Sequence, residues 1–185
     1  MALNCTFASL KALINDWSLY HELAHLYHPL FDYENFWLSE GLATYLQNII
    51  MLDGGIISHD EFIARLKAGL ARGEQQTRTI DDPLSYVADN MWALKAQQRV
   101  YWSGVAFFIE AELTLKTQTM PYKSITQLID TYQTCCKKPN QSARQFLLEL
   151  DKLSRSAIFS NLYNQYSKRT DFPAINKQQL IQLRF

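Results

Sequence analysis

The sequence predicts a mostly α-helical fold, and three observations predict it. Apolar residues recur at helical spacing along most of the chain, and no segment sustains the period-two alternation of a half-buried strand. Helix starts are explicit: Ser58-His59-Asp60-Glu61 and Ser142-Ala143-Arg144-Gln145 both have the capping-box spacing. The run from Val100 to Leu113 is apolar on most faces, as in a helix buried by its neighbours.

Phe7, Leu10 and Ile14 share one stripe and predict a helix over 6–14. Asn15, Asp16 and Ser18 offer capping oxygens for a helix over about 17–27, which Pro29 ends near His28. A short loop over 29–35 returns the chain to a helix over about 36–52, stopped by Asp53-Gly54-Gly55. Gly41 in that helix costs about 1 kcal/mol relative to Ala. Close approach of the 17–27 and 36–52 helices would account for it. The Ser58 box predicts a helix to about Arg72, then a polar surface loop over 73–82 that ends at Pro83. Residues 84–97 read as partly helical. A buried helix over 99–117 follows, then helices over about 123–137, 142–153 and 156–168, and a weakly amphipathic tail over 174–185.

The length of 185 residues suits a single domain with a hydrophobic core. Eighteen basic and eighteen acidic residues cancel, so no net field favours nucleic acid or an anionic membrane. Lys11, Asn15 and Asp16 interrupt any apolar run near the start, and Glu110, Glu112 and Lys116 interrupt the longest apolar helix, so neither a signal peptide nor a membrane span is predicted. Cys5, Cys135 and Cys136 do not fix a compartment. A bridge between the adjacent pair inside a helix is disfavoured, and no CxxC is present.

The chemistry concentrates in His21-Glu22-Leu23-Ala24-His25, with Glu40 fourteen intervening residues further on. On a helix, positions i and i+4 share a face, so both imidazoles can point at one ion. Two imidazoles and a carboxylate make a zinc site with an open fourth position, and Glu22 stands beside the first ligand, where it can take a proton from water. By composition alone, such an HExxH motif arises by chance in about one chain of this length in a few hundred.

These residues resemble the gluzincin metallopeptidases, whose pattern is HExxH followed by a W-L-x-E-G-x-A-x-Y helix, here Trp37-Leu38-Ser39-Glu40-Gly41-Leu42-Ala43-Thr44-Tyr45. The resemblance is nearest to the M1 aminopeptidases and the M61 glycyl-aminopeptidase group. Tyr101-Trp102-Ser103-Gly104-Val105 is similar to the Y-x-K-G stretch of those families, in which the tyrosine hydroxyl stabilises the oxyanion. The likeness extends over about residues 17–175, including Ser124 to Ile129. It implies one zinc ion on His21, His25 and Glu40, Glu22 as general base and acid, Tyr101 on the oxyanion, and a peptide or protein substrate. Three features depart from the pattern: Ser103 stands in place of lysine, the gap before Glu40 is shorter than in M1 enzymes, and no G-x-M-E-N-like segment lies upstream.

The expectation is therefore a zinc metallopeptidase, aminopeptidase more than endopeptidase. Its chain would be one helical catalytic subdomain over 1–185 excised from a longer protein, resembling the α-helical part of a thermolysin-like, M1 or M61 domain, with the β-sheet lobe absent. Two other classes stand beside it: an inactive gluzincin-fold binding or scaffold module, and a structural zinc protein. Tyr101 has a plain alternative, a core tyrosine with its hydroxyl tied to a neighbour, and the family context favours the oxyanion role. Thr44, one turn past Glu40, is either an orienting partner for a ligand histidine or a plain helix threonine. His28 and His59 have no partners at ligand spacing and read as loop or cap residues.

Overall fold

Helices alone form the regular structure among the residues that the computed structural model describes, which are 14, 16–117 and 121–183. They are α1 (Trp17–Ala24), α2 (Phe36–Asp53), α3 (His59–Thr77), α4 (Leu84–Asp89), α5 (Met91–Leu94), α6 (Gln97–Thr117), α7 (Ile125–Cys135), α8 (Ala143–Ser154), α9 (Ile158–Tyr166) and α10 (Lys177–Ile181). Short 3-10 turns at His25–Tyr27 and Tyr33–Asn35 link α1 to α2. The all-α expectation holds, with no strand among the described residues. The helix expected over 6–14 lies outside those residues except for Ile14. No helix among them is long and apolar enough to cross a membrane.

The expected caps form. Asp16 accepts from the Ser18 amide at 2.9 Å to open α1. Ser58 with Glu61 and Ser142 with Gln145 make reciprocal capping boxes at α3 and α8. Asn176 and Gln179 make a third at α10, inside the tail.

Helices α2 and α6 are buried on almost every face and pack on each other at the centre. Trp37 of α2 is fully buried, stacked on Tyr163 and Tyr166 and edge-on to Phe107 of α6. Gly41 accounts for the closeness of these two helices. A Cβ there would collide with the backbone of Gly104, and a Cβ on Gly104 would collide with the Trp37 carbonyl. The expectation that Gly41 admits a neighbouring backbone is correct, but the neighbour is α6 and not α1.

A second correction concerns α3, which runs to Thr77 and not to Arg72. Gly73 does not end it. A Cβ at Gly73 would lie 2.5 Å from the Phe172 ring and 2.7 Å from Trp102 Cβ, so the glycine is there to admit those side chains. Helix propensity disfavours glycine by about 1 kcal/mol, and tertiary packing of two aromatic residues overrides it.

Arg99, fully buried at the start of α6, donates to the carbonyls of Ile80, Asp82 and Arg169, and so ties the loop before α4 and the segment after α9 to the core. Cys135 and Cys136 are joined by a disulfide, against expectation. The bond falls where α7 ends, with Cys136 already out of helical geometry at φ −135°.

The glycine seam gives a stability prediction. Gly104→Ala should cost about 3 kcal/mol or more, at the upper end of overpacking, because backbone and not a flexible side chain opposes the new methyl group. Gly55→Ala, at φ +67° with open space around it, should cost about 1 kcal/mol. Urea unfolding midpoints of the two variants check the contrast.

Candidate metal centre

Helix α1 buries only His21 and Ala24, and that face lies against α2. His21 therefore points into the protein at the level of Glu40, which is 5% exposed on α2. His21 Nε2 lies 3.1 Å from Glu40 Oε2, His25 Nε2 lies 3.2 Å from His21 Nε2, and His25 Nε2 lies 3.5 Å from Glu40 Oε1. One donor atom from each of the three falls within 4.8 Å of the others, so His21, His25 and Glu40 could hold a metal ion.

Burial raises the Glu40 carboxyl, but a hydrogen bond with His21, the nearby His25 and a hydrogen bond from Tyr101 outweigh it and hold Glu40 below the usual carboxylate range. Burial lowers His25, opposed by the charge of Glu40. Glu40 and His25 are thus biased toward the carboxylate and the neutral imidazole, the forms that bind metal.

Tyr101 stands beside the triad. Its ring is parallel to His21, with centroids 6.0 Å apart, and its hydroxyl donates to Glu40. Burial first, then the charge of Glu40 and that hydrogen bond, push the phenol well above its usual range, so it stays a proton donor at neutral pH. Glu22 is exposed on the next position of α1 and close enough to act electrostatically on both His25 and Tyr101. Thr44 is 7% exposed, and its hydroxyl has no hydrogen-bond partner, so it does not orient a histidine in this structure. His59 contacts the Leu183 carbonyl at 3.4 Å, an ordinary packing role as expected.

His28 is the residue that sequence reasoning missed. It is 4% exposed, its Nδ1 lies 2.8 Å from the Pro29 carbonyl, and its Nε2 lies 3.3 Å from His25 Nδ1. Proton bookkeeping assigns the tautomers. A carbonyl only accepts, so His28 Nδ1 carries the hydrogen, and burial keeps the ring neutral by pushing its pKa to about 4. His28 Nε2 is then a lone pair that accepts from His25 Nδ1–H, which leaves His25 Nε2 with its lone pair toward His21 and Glu40. The available signal was the His25–His28 spacing, i to i+3, which puts the two rings on one side of a helical turn.

A model of the M61 glycyl aminopeptidase family matches residues 24–114. The match spans His25, Glu40 and Tyr101, begins after His21 and Glu22, and supports a peptidase. Comparison with curated proteins and with solved structures finds no match.

Two outcomes follow from His28. His28→Ala should weaken metal binding ten- to a hundredfold, the usual effect of losing an orienting partner, measured by competition with a chelator of known affinity. The second concerns metal-free protein. The unfolded chain protonates His28 near pH 6.5, whereas the folded chain resists until about pH 4. The unfolded state therefore binds more protons in that window, and stability falls as pH drops through it. The share from His28 should be on the order of 2–3 kcal/mol by pH 4.5. Urea titrations at pH 7 and 4.5 should show a smaller decline in His28→Gln than in the parent protein.

Proposed function

We propose that the chain hydrolyses peptide bonds as a zinc-dependent peptidase of gluzincin type, aminopeptidase-like. His21, His25 and Glu40 would hold one zinc ion, Glu22 would serve as general base and acid, and Tyr101 would serve the oxyanion. The observation that carries this is the convergence of three potential metal donors, one atom from each of His21, His25 and Glu40. In a tetrahedral site with Zn–N bonds of about 2.0–2.1 Å, two ligand atoms lie about 3.3 Å apart. The donor pairs here lie 3.1, 3.2 and 3.5 Å apart. The tautomer that His28 imposes turns the His25 lone pair in the required direction.

When bound, zinc supplies a Lewis acid that polarises a carbonyl and acidifies water. The protein's own groups do the rest. Glu22, exposed beside His21, takes the proton from the attacking water and returns it to the leaving amine. Tyr101 enters as a protonated donor. Its hydroxyl turns from Glu40 to the substrate oxygen as negative charge develops there. His28 holds His25 and excludes water behind it.

The structural zinc alternative requires a fourth protein ligand. Among the described residues the cluster holds three, and His28, the nearest other imidazole, faces the opposite nitrogen of His25. The scaffold alternative is countered by the peptidase family match together with an intact Glu22 and ligand set.

Glu22→Gln separates enzyme from scaffold. Turnover of an uncharged peptide library should fall at least a hundredfold, the low end for loss of a general base. Zinc content by elemental analysis should stay at one ion per chain. Equal turnover in both proteins would sink the mechanism.

A further inference from the structure

We propose that a pocket next to the metal centre receives a carboxylate of the substrate, which makes peptides bearing an acidic group the favoured substrate class. The substrate clause rests on the peptidase reading above; the binding of the carboxylate does not.

The pocket has a volume of about 380 Å³ and opens beside the triad. Tyr101, which donates to Glu40, forms one wall. Thr44, one turn beyond Glu40 on α2, forms part of the floor, and Trp17, edge-on to His21, closes the near side. A group bound here is thus within a side chain's length of the triad.

Its chemistry is one-sided. Among the described residues, Arg65 and Arg72 are the only charged ones in its lining, and no carboxylate accompanies them there. Seven residues apart on α3, they stand two turns apart on one face. Neither makes an ion pair among the described residues. Arg72 is held in place over the Trp102 ring, 5.4 Å from its centroid, while its Nε donates to Gln98 Oε1 at 2.9 Å, an amide and so a neutral acceptor. Arg65 contacts the Met51 sulfur at 3.7 Å, a weak acceptor. The nearest acid on its own helix, Glu61, is engaged by the Ser58 cap through both the amide and the hydroxyl. Glu61 feels the charge of Arg65 but does not line the pocket, so the charge on the pocket wall itself is that of two guanidinium groups.

The other polar side chains of the lining among the described residues, Thr44, Gln47, Asn48, Gln98 and the Tyr101 phenol, are uncharged. Two guanidinium groups on one wall match a carboxylate, which only accepts. That carboxylate can come from an Asp or Glu side chain or from a free peptide C-terminus. The chemistry is the same, and the experiment separates the two sources.

The test is binding to zinc-loaded Glu22→Gln protein, in which peptides bind without turnover, read by fluorescence anisotropy at low salt. Two series of labelled alanine pentapeptides are compared. The first is amidated at the C-terminus and carries a single glutamate at each position in turn, against glutamine. The second has no acidic side chain and carries a free C-terminal carboxylate, against its amide. One carboxylate member should bind about tenfold tighter than its neutral partner, the worth of one charge-assisted pairing. That advantage should vanish when Arg65→Gln and Arg72→Gln are added. A difference in the first series identifies the side chain as the source, and one in the second identifies the C-terminus. Equal binding within both series, no binding of any peptide, or an advantage that survives the arginine substitutions overturns the proposal. Failure of the peptidase reading looks different: the parent protein cleaves no peptide, while the arginine-dependent preference persists.

Discussion

The contact on which the site depends is the meeting of two glycines, Gly41 on α2 and Gly104 on α6. Helix axes usually keep 8–10 Å between them because side chains stand in the way. Here neither helix has a Cβ at the crossing, and each backbone occupies the space where the other's methyl group would be. Glu40 immediately precedes one glycine, and Tyr101 lies three residues before the other. The closeness that the glycines allow is thus the closeness at which the Tyr101 hydroxyl reaches Glu40. A helix pair held at ordinary spacing would break that hydrogen bond and part the Tyr101 hydroxyl from the Glu40 carboxylate. Glycine's unfavourable helix propensity, twice over, is offset by a contact that no other residue permits.

On the other side of Glu40 the constraint is the count of hydrogens. Three groups meet there whose useful form is a lone pair, and a protein can present that only by placing each ring hydrogen elsewhere. For His25 the placement is explicit: its Nδ1 hydrogen goes to His28, whose own hydrogen goes to the Pro29 carbonyl. Orienting partners of metal-ligating histidines are often carboxylates; here the partner is a neutral imidazole. It adds no charge to the centre and is more easily lost to acid than a carbonyl would be. His21 differs again, since its Nδ1 is buried without a hydrogen-bond partner and the ring is held by packing between Trp17, His25 and Tyr101. The two histidines of one motif are thus fixed by different means.

How much of this was legible in the sequence divides along the same physical line. Local signals carried the helices: the Ser58 and Ser142 boxes, Pro29 after α1 and the all-round apolar α6 were read from spacing alone. The triad His21, His25 and Glu40 was readable because motif spacing on a helix is itself geometry, and the structure brings the three together. What was not readable depends on which surfaces meet. Gly41 was seen to need a close neighbour, but nothing local says that the neighbour is Gly104. Gly73 looked like a helix end because its reason to be glycine is Phe172, about a hundred residues away. His28 looked like a loop residue because its partner relation needs the tight 3-10 turn at His25–Tyr27. Arg65 and Arg72 carry no motif at all, and only the fold shows that they line one pocket.

Helix α6 ties the His21–His25–Glu40 cluster to the adjoining pocket through two adjacent residues. Consecutive side chains on a helix diverge by about 100°, given 3.6 residues per turn. Tyr101 accordingly turns toward α2 and Glu40, while Trp102 turns toward α3, where Gly69 and Gly73 leave room for its ring. That ring is the bed on which Arg72 rests. These two helix contacts of α6 therefore rest on glycine. One fixes the Tyr101 hydroxyl on Glu40, and the other fixes a cation in the lining of the adjoining pocket. Because both are set by the position of a single rigid helix, the distance between the His21–His25–Glu40 cluster and the pocket is held by the fold and not by loops. Under the proposed function, that layout would discriminate between substrates that differ in where a negative charge lies relative to the scissile bond.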